Sequence, residues 1–266
     1  MRKVKLKFDT DLQKYRYVFD RPDNPYLVRL WKENNLDEIA DNAKDEVTTV
    51  RRVCFWVSDK LRHNGWGYAS DPLTILREAK TGKGFNCASH ATLLQGCLSA
   101  LGFKARTLTI MPKDIETVDR GGMHTVVETY LPSKGKWVML DPDERIVPSF
   151  KDKSLMNAVE LQKAITDNTD IHISGRYREF IYPYLFYFSC KLNNKVLIDK
   201  SKAKKIILVP KFYNVPKIIE GRWPVTNSIW THSLLTYYQK PQNRLYGQDN
   251  TQHKGKKYNH QALMGL

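Results

Sequence analysis

The sequence has few cysteines, and none of them form a paired motif. The four are Cys54, Cys87, Cys97 and Cys190. Zinc ribbons and dithiol redox sites use C-x-x-C pairs, so the absence of such pairs excludes both classes. Cys87 and His90 have a spacing that metal ligands use, but no second ligand pair completes a site. We therefore expect no metal and no cofactor.

Long apolar runs are also absent. No segment approaches the roughly 18 apolar residues of a membrane helix. The first twenty residues are charged throughout and offer no apolar core of a signal peptide. We therefore expect a cytoplasmic protein with no membrane span. Hydrophobic residues still make up 41% of the chain, enough to bury a core, which excludes disordered and fibrous classes.

Acidic residues are scarce, and the resulting charge is uneven. The net charge is +15, and the segment from Lys191 to Leu266 holds 14 Lys and Arg against three Asp and Glu. A basic C-terminal quarter can bind an anionic partner. It can equally be a solvated lysine-rich surface. Composition alone does not choose between the two interpretations.

The order of patterns predicts an α+β protein in four parts. Residues 1–44 are an N-terminal extension with an edge strand at Val4–Phe8. Residues 45–150 form the core, residues 151–238 form a helix and strand extension that packs on it, and residues 239–266 are a polar, basic tail. In the core, helices are predicted over Asp45–Arg62, Leu73–Ala79 and Cys87–Gly102, and strands over Lys104–Met111, His124–Tyr130 and Gly135–Asp141. In the extension, helices are predicted over Leu155–Thr166 and Arg176–Phe186, and strands over Phe188–Lys191, Val196–Asp199 and Ile206–Pro210.

Cys87 stands where a glycine-rich loop becomes a helix. Asn86 is a suitable N-cap, and Gly102 is a suitable stop at the other end. The positive end of the helix dipole and the unpaired N–H groups there favour a thiolate. The alternative is that Cys87 is a small buried hydrophobic residue.

The predicted hairpin of His124–Tyr130 and Gly135–Asp141 places an imidazole near a carboxylate. If Tyr130 pairs with Gly135, His124 lies directly opposite Asp141, with Cβ atoms roughly 4.5–5.5 Å apart. A register shift of two residues would leave them diagonal neighbours within reach of each other. A shift of one would put them on opposite faces.

Cys87, His124 and Asp141 are therefore candidates for a nucleophile, a general base and an orienting carboxylate. A base that takes the thiol proton activates the nucleophile, and the third group fixes the tautomer of the imidazole. The backbone N–H of Cys87 can hold a developing oxyanion.

Three motifs resemble the transglutaminase-like superfamily, in its bacterial type: G-x-N-C-A-S-H-A around Cys87, G-G-M-H-T-V-V-E around His124, and K-W-V-M-L-D-P around Asp141. The resemblance covers Asp45 to Asp143. It implies a papain-like arrangement, with the nucleophile helix packed on an antiparallel sheet that carries the base and the carboxylate. It also implies an oxyanion donor upstream, for which Trp66 is the candidate, and a structural role for Arg106.

The superfamily contains transglutaminases, cysteine proteases, peptide:N-glycanases, arylamine acetyltransferases and inactive members. The zinc pairs of the glycanases and the R-G-G-x-C motif of the acetyltransferases are absent here. We expect a cysteine enzyme that acts on amide bonds of protein or peptide substrates through a thioester. The alternative is a catalytically silent binding module that uses the basic C-terminal surface. Asp143 and Glu144 are interpreted as surface charges.

Overall fold

A six-stranded sheet forms the centre of the fold. The computed structural model describes residues 3–21, 23–40, 45–198 and 202–242. The strands of the sheet are β1 (Lys104–Met111), β2 (His124–Leu131), β3 (Lys136–Leu140), β6 (Tyr187–Lys191), β7 (Lys205–Leu208) and β10 (Ser228–Thr231). Their order in the sheet is β10-β7-β6-β1-β2-β3, and neighbouring strands are antiparallel except for the parallel pair β10 and β7. Two small ribbons accompany the sheet, β4 (Ser149–Phe150) with β5 (Ile171–His172) and β8 (Ile218–Ile219) with β9 (Trp223–Pro224).

The helices form layers on both faces of this sheet. They are α1 (Pro25–Glu33), α2 (Leu36–Ala40), α3 (Glu46–Lys60), α4 (Pro72–Ala79), α5 (Cys87–Ala100), α6 (Ala158–Thr166), α7 (Gly175–Ile181) and α8 (Leu234–Tyr237). The α+β prediction is confirmed. None of the helices in the described ranges has the length and apolar character needed to span a bilayer.

Helix α5 is the most buried helix of the layer on one face. Twelve of its 14 residues are buried, and it contacts β1, β2, α1, α3 and α4. Burial on nearly every side is typical of a central core helix. Ala105 and Val127 of the sheet share a core cluster with Leu94 and Leu98 of α5. On the opposite face, Leu108, Ile110 and Val126 pack with α6 and α7 in a second cluster.

The hairpin of β2 and β3 has a different register from the predicted one. Leu131 pairs with Lys136 and Tyr130 with Trp137, so β2 ends one residue later and β3 begins one residue later than predicted. The loop keeps four residues, and Gly135 in it has φ +64°, a conformation that glycine adopts readily. The net shift of two residues makes His124 and Asp141 diagonal neighbours rather than directly opposite ones.

Three predicted elements are wrong. Residues 3–8 form no strand; the Lys7 carbonyl accepts the N–H of Lys211, in the turn after β7 (2.7 Å). The helix expected to end at Phe186 ends at Ile181 and continues as a 3₁₀ turn, because Pro183 lacks an N–H. Residues 196–198 bend, since Val196 donates to the Asp20 carboxylate (2.6 Å) rather than to a strand.

The predicted four-part division of the chain stays a prediction. Strands from both sides of residue 150 share the central sheet, and α1 and α2 of the N-terminal part pack near α5 and α3. Of the predicted tail, residues 243–266 lie outside the described residues, as does Asp199 at the end of one predicted strand.

Candidate active site

Cys87 is the first residue of α5, as predicted. The Asn86 side chain caps the helix by accepting the Ser89 N–H (3.1 Å). The loop before it runs close against residues 62–67, where the Asn86 N–H donates to the Gly67 carbonyl (2.6 Å). A Cβ on Gly67 would lie 1.9 Å from the carbonyl oxygen of Gly84, so only glycine allows this approach. The two loops thus fix the half-buried thiol of Cys87 at the helix start.

His124 and Asp141 are hydrogen-bonded despite their diagonal register. The His124 Nε2 lies 2.7 Å from Asp141 Oδ2, and both side chains are buried. His124 begins β2, and Asp141 directly follows β3. Because Nε2 is bound to the carboxylate, Nδ1 is the ring nitrogen left to interact with Cys87.

The carboxylate of Asp141 receives four hydrogen bonds. Oδ1 accepts the backbone N–H groups of Asp143 (3.0 Å) and Glu144 (3.1 Å), and Oδ2 accepts the Tyr177 hydroxyl (3.0 Å) as well as His124. Burial raises the pKa of Asp141, but His124 and the hydrogen bonds outweigh it and hold that pKa below the usual value. The group is therefore an anion at neutral pH.

The pKa of His124 shifts in the opposite direction. Burial lowers it, but the Asp141 carboxylate, followed by Cys87, raises the pKa of His124 well above its usual value. An imidazolium next to the thiol is therefore favoured, which is the protonation state from which a cysteine nucleophile attacks.

Asp143 brings a second carboxylate to the same place. One ligand atom each from Cys87, His124 and Asp143 lie within 4.8 Å of one another. The Asp143 side chain is only 2% exposed; its Oδ1 lies 2.9 Å from His63 Nδ1 and 3.5 Å from His90 Nδ1. The interpretation of Asp143 as a surface charge is therefore wrong, because its carboxylate lies against the rings of His63 and His90. Sulfur, imidazole and carboxylate together are donors that zinc accepts, and the expected absence of a metal stays a prediction.

Aromatic rings surround the imidazole of His124. Phe180 meets it edge-on with ring centroids 5.3 Å apart, and Tyr184 lies 6.0 Å away. Trp66 lies in the loop that runs against Gly84, is 82% exposed, and has the Arg120 guanidinium 6.0 Å from its ring. The role of Trp66 as an oxyanion donor stays a prediction.

The structure thus brings Cys87, His124 and Asp141 together, and it adds three aromatic residues that the sequence did not single out and Asp143, to which the sequence analysis gave another role. Tyr177, Phe180 and Tyr184 come from α7 and the following turn, an aromatic-rich segment visible in the sequence but not linked there to the site. Asp143 follows Asp141 by two positions. This closeness in sequence was the one signal that could have linked it to the site. Tertiary contacts alone give these residues their place.

Comparison with known protein families gives a match over part of the chain. Residues 34–142 match the sequence model of the transglutaminase-like superfamily. That segment contains Cys87, His124 and Asp141. No curated protein matches the chain.

Several solved structures are similar over about half of the chain. A candidate cysteine protease from Cytophaga hutchinsonii has 16% identity and a TM-score of 0.36, covering 48% of this chain and 44% of the other. Red sea bream transglutaminase has 17% identity and a TM-score of 0.34, covering 44% and 27%. Legionella pneumophila LapG, treated with EGTA, has 16% identity and a TM-score of 0.32, covering 50% and 83%. The chain thus spans less than half of the length of the first two.

Proposed function

We propose that this protein is a cysteine enzyme acting on amide bonds of protein or peptide substrates, and the match of residues 34–142 to the transglutaminase-like superfamily model supports this. The proposal rests on one arrangement: a thiol at a helix start, beside an imidazole whose other nitrogen is tied to Asp141 at 2.7 Å. Cys87 is the nucleophile, His124 the general acid and base, and Asp141 the residue that orients the ring.

The reaction proceeds in two halves. The Cys87 thiol transfers its proton to His124 Nδ1, and the sulfur attacks the carbonyl carbon of the amide. The backbone N–H of Cys87, with the indole N–H of Trp66 as a second proposed donor, holds the oxyanion. The tetrahedral intermediate collapses, His124 protonates the leaving nitrogen, and a thioester remains.

Water or an amine then attacks the thioester, with His124 taking its proton. Attack by water gives hydrolysis, and attack by an amine gives acyl transfer. Asp141 stabilises the imidazolium in both halves, and it stays ionised because its four hydrogen bonds favour the anion.

Mass spectrometry of glutamine-containing peptides, incubated with and without an added amine, tests the proposal. A peptide that gains the mass of the amine indicates acyl transfer. A peptide in which an NH group has been replaced by oxygen indicates deamidation, and cleavage of the backbone indicates a peptidase. We expect Cys87→Ala to lower the rate at least about 10⁴-fold. Cys97→Ala, which changes a buried cysteine of the same helix, should stay within about twofold of the wild type. Equal activity in the two variants would remove the nucleophile assignment.

Alkylation by iodoacetamide tests the pairing of thiol and base. Cys87 is more exposed than Cys54, Cys97 and Cys190, so preferential labelling alone is not informative. The informative comparison is between His124→Ala and His172→Ala, since His172 is an exposed histidine on β5. Loss of His124 should slow labelling of Cys87 at neutral pH by about tenfold or more. The same rate in both variants would favour a catalytically silent binding module.

A further inference from the structure

A cavity lined by two lysines lies over strands β1, β6 and β7. Its volume is about 350 Å³, and we call it the lysine cavity. Thr107 and Thr109 of β1, Ser189 and Lys191 of β6, and Lys205 of β7 alternate along their strands and therefore line it from one face of the sheet. Trp223 and Pro224 of β9 form a wall.

Lys191 and Lys205 are directly opposite each other in the antiparallel pair of β6 and β7. Like charges in such positions are destabilising. Burial, and then the neighbouring Lys205, lower the pKa of Lys191 to about 8. Neither ammonium group has a carboxylate partner among the residues that the structure describes. The lysine cavity therefore carries positive charge that no carboxylate of the described residues neutralises.

Hydroxyl groups complete the polar lining. Thr109 and Ser189 are paired across β1 and β6, and Ser228 of β10 lies beside Lys205. Hydroxyl groups and ammonium groups together are donors to an oxyanion, and hydrogen bonds to a charged group contribute more than neutral ones. The lining is thus suited to a carboxylate.

The lysine cavity begins next to the candidate active site. Met123, the residue before His124, lines it, and so does Met111, whose neighbour Ile110 pairs with His124. Its wall is joined to the loop before His124, since the Gly122 N–H donates to Glu220 (2.9 Å) and the Glu220 N–H donates to the Ile115 carbonyl (2.8 Å).

The sheet geometry sets the distance between the two sites. Ile110 pairs with both His124 and Phe188, so Lys191 lies two strands across and three residues along from His124. With strands about 4.8 Å apart and residues about 3.3 Å apart, the two Cα atoms are separated by about 14 Å. Lys191 lies on the face of Thr109, whereas His124 shares the opposite face with Ile110. Helix α5, which begins with Cys87, packs on the face of the cavity. An extended peptide that runs over this face from Cys87 covers a distance of that order in about four residues.

We propose that the lysine cavity binds an acidic side chain of the protein or peptide substrate, about four residues from the amide that Cys87 attacks. This rests on the proposed function for the identity of the substrate. The substrate is then an acidic peptide segment, and its carboxylate supplies the negative charge that Lys191 and Lys205 lack.

Paired peptides test this proposal separately from catalysis. The probes are fluorescent glutamine-containing peptides that carry either Glu or Gln at a single position, scanned across about five residues on each side. Binding is measured by anisotropy with the Cys87→Ala protein, so turnover is not required. We expect the Glu peptide to bind roughly 10- to 100-fold more tightly at a position about four residues away.

The variant Lys191→Met/Lys205→Met should abolish that preference. The matched control is Lys195→Met/Lys204→Met, which removes the same charge from exposed lysines next to the same strands and outside the cavity. Melting temperature is a second readout: loss of the facing cations should leave it equal or higher. No preference for Glu in the parent protein, or an equal loss in the control, would overturn the proposal. Turnover without any preference for Glu would overturn the proposal of a carboxylate site and leave the proposed function standing. Glu-selective binding without turnover would support the carboxylate site and contradict the proposed function.

Discussion

Two buried charge pairs lie in the same sheet, and their surroundings differ. Arg106 and Glu128 face each other across β1 and β2, with Nη2 2.8 Å from Oε2 and both side chains fully buried. His124 and Asp141 form the other pair across β2 and β3, at 2.7 Å. Burial and distance are thus nearly the same in the two pairs. The two pairs differ in how many of their hydrogen-bonding atoms are left without a partner inside the pair's own surroundings.

The Arg106–Glu128 pair is enclosed by partners. The guanidinium lies 4.3 Å from the Trp137 ring centroid and 4.6 Å from that of Tyr237, and Nη1 donates to the Tyr237 carbonyl (3.2 Å). The second oxygen of Glu128 accepts the Ala158 N–H (3.1 Å) and the Tyr238 hydroxyl (3.0 Å). These contacts join β1 and β2 to α6 and to the C-terminal helix. The pair holds the fold together and presents no free group to a substrate.

The His124–Asp141 pair is saturated only on the carboxylate side. Asp141 has four donors, while the imidazole keeps Nδ1 for Cys87 and contacts the ring edges of Phe180. A buried ion pair therefore does not by itself mark a site of chemistry. The distinguishing feature is a titratable member with an open position beside a nucleophile.

The largest expected effect in this comparison is that of Asp141→Asn. The amide can still accept the backbone N–H groups, but the negative charge that stabilises the imidazolium is lost. We expect kcat/KM to fall about 10³-fold, equivalent to about 4 kcal/mol. Since the Asp141 carboxylate raises the pKa of His124, the alkaline limb of the pH–rate profile should move to lower pH. Kinetics across pH, with an NMR titration of His124, measure both.

Asp143→Asn is the matched control for Asp141→Asn. Its carboxylate also lies near Cys87 and His124 but is bound to His63 rather than to the ring of His124. We expect a loss below about tenfold and no large movement of the alkaline limb. A loss in Asp143→Asn equal to that in Asp141→Asn would mean that Asp141 is not the orienting residue.

The next effect is on stability. Arg106→Met leaves the Glu128 carboxylate buried without its cation, which should lower the free energy of unfolding by about 3–5 kcal/mol. Denaturant unfolding of the variant measures this, and activity per folded molecule should stay within about threefold. Lys104→Met is the control on the same strand, where a partly exposed cation lies over Phe19 at 5.9 Å, and it should cost below about 1 kcal/mol. Similar losses in the two variants would contradict the structural role of Arg106.

The sequence was sufficient for the parts of the site that depend on local patterns. Asn86, Cys87 and Gly102 define a helix start and stop within one stretch, and the alternation of β2 and β3 predicts a hairpin. The register was wrong by two residues because a four-residue loop allows either pairing, and turn geometry decides between them. His124 and Asp141 still meet, since diagonal neighbours remain within reach of long side chains.

Other residues could not be predicted because their partners are distant in sequence. Tyr177 reaches Asp141 from α7, 36 positions later, and Arg106 is enclosed by Tyr17 and Tyr237 from the two ends of the described chain. Local patterns contain no information on such contacts. Asp143 was misinterpreted for a similar reason: a polar residue after a proline is usually exposed, and here the partners His63 and His90 bury it.

The smallest effect distinguishes positioning from packing among the aromatic residues of the site. Tyr177→Phe removes one of the four hydrogen bonds to Asp141 and keeps the ring, so kcat should fall about three- to tenfold. Because the Tyr177 hydroxyl helps to lower the pKa of Asp141, its loss should raise that pKa and move the acid limb of the pH–rate profile to higher pH. Tyr184→Phe is the matched control: its ring also lies near His124, but its hydroxyl donates to the Gly121 carbonyl (3.0 Å). An unmoved acid limb in Tyr177→Phe, with equal losses of kcat in both variants, would show that Tyr177 only packs. A shift of the acid limb in Tyr177→Phe alone would show instead that Asp141 depends on a hydrogen-bond donor from α7. Glu128 likewise depends on donors from outside the sheet, Ala158 and Tyr238.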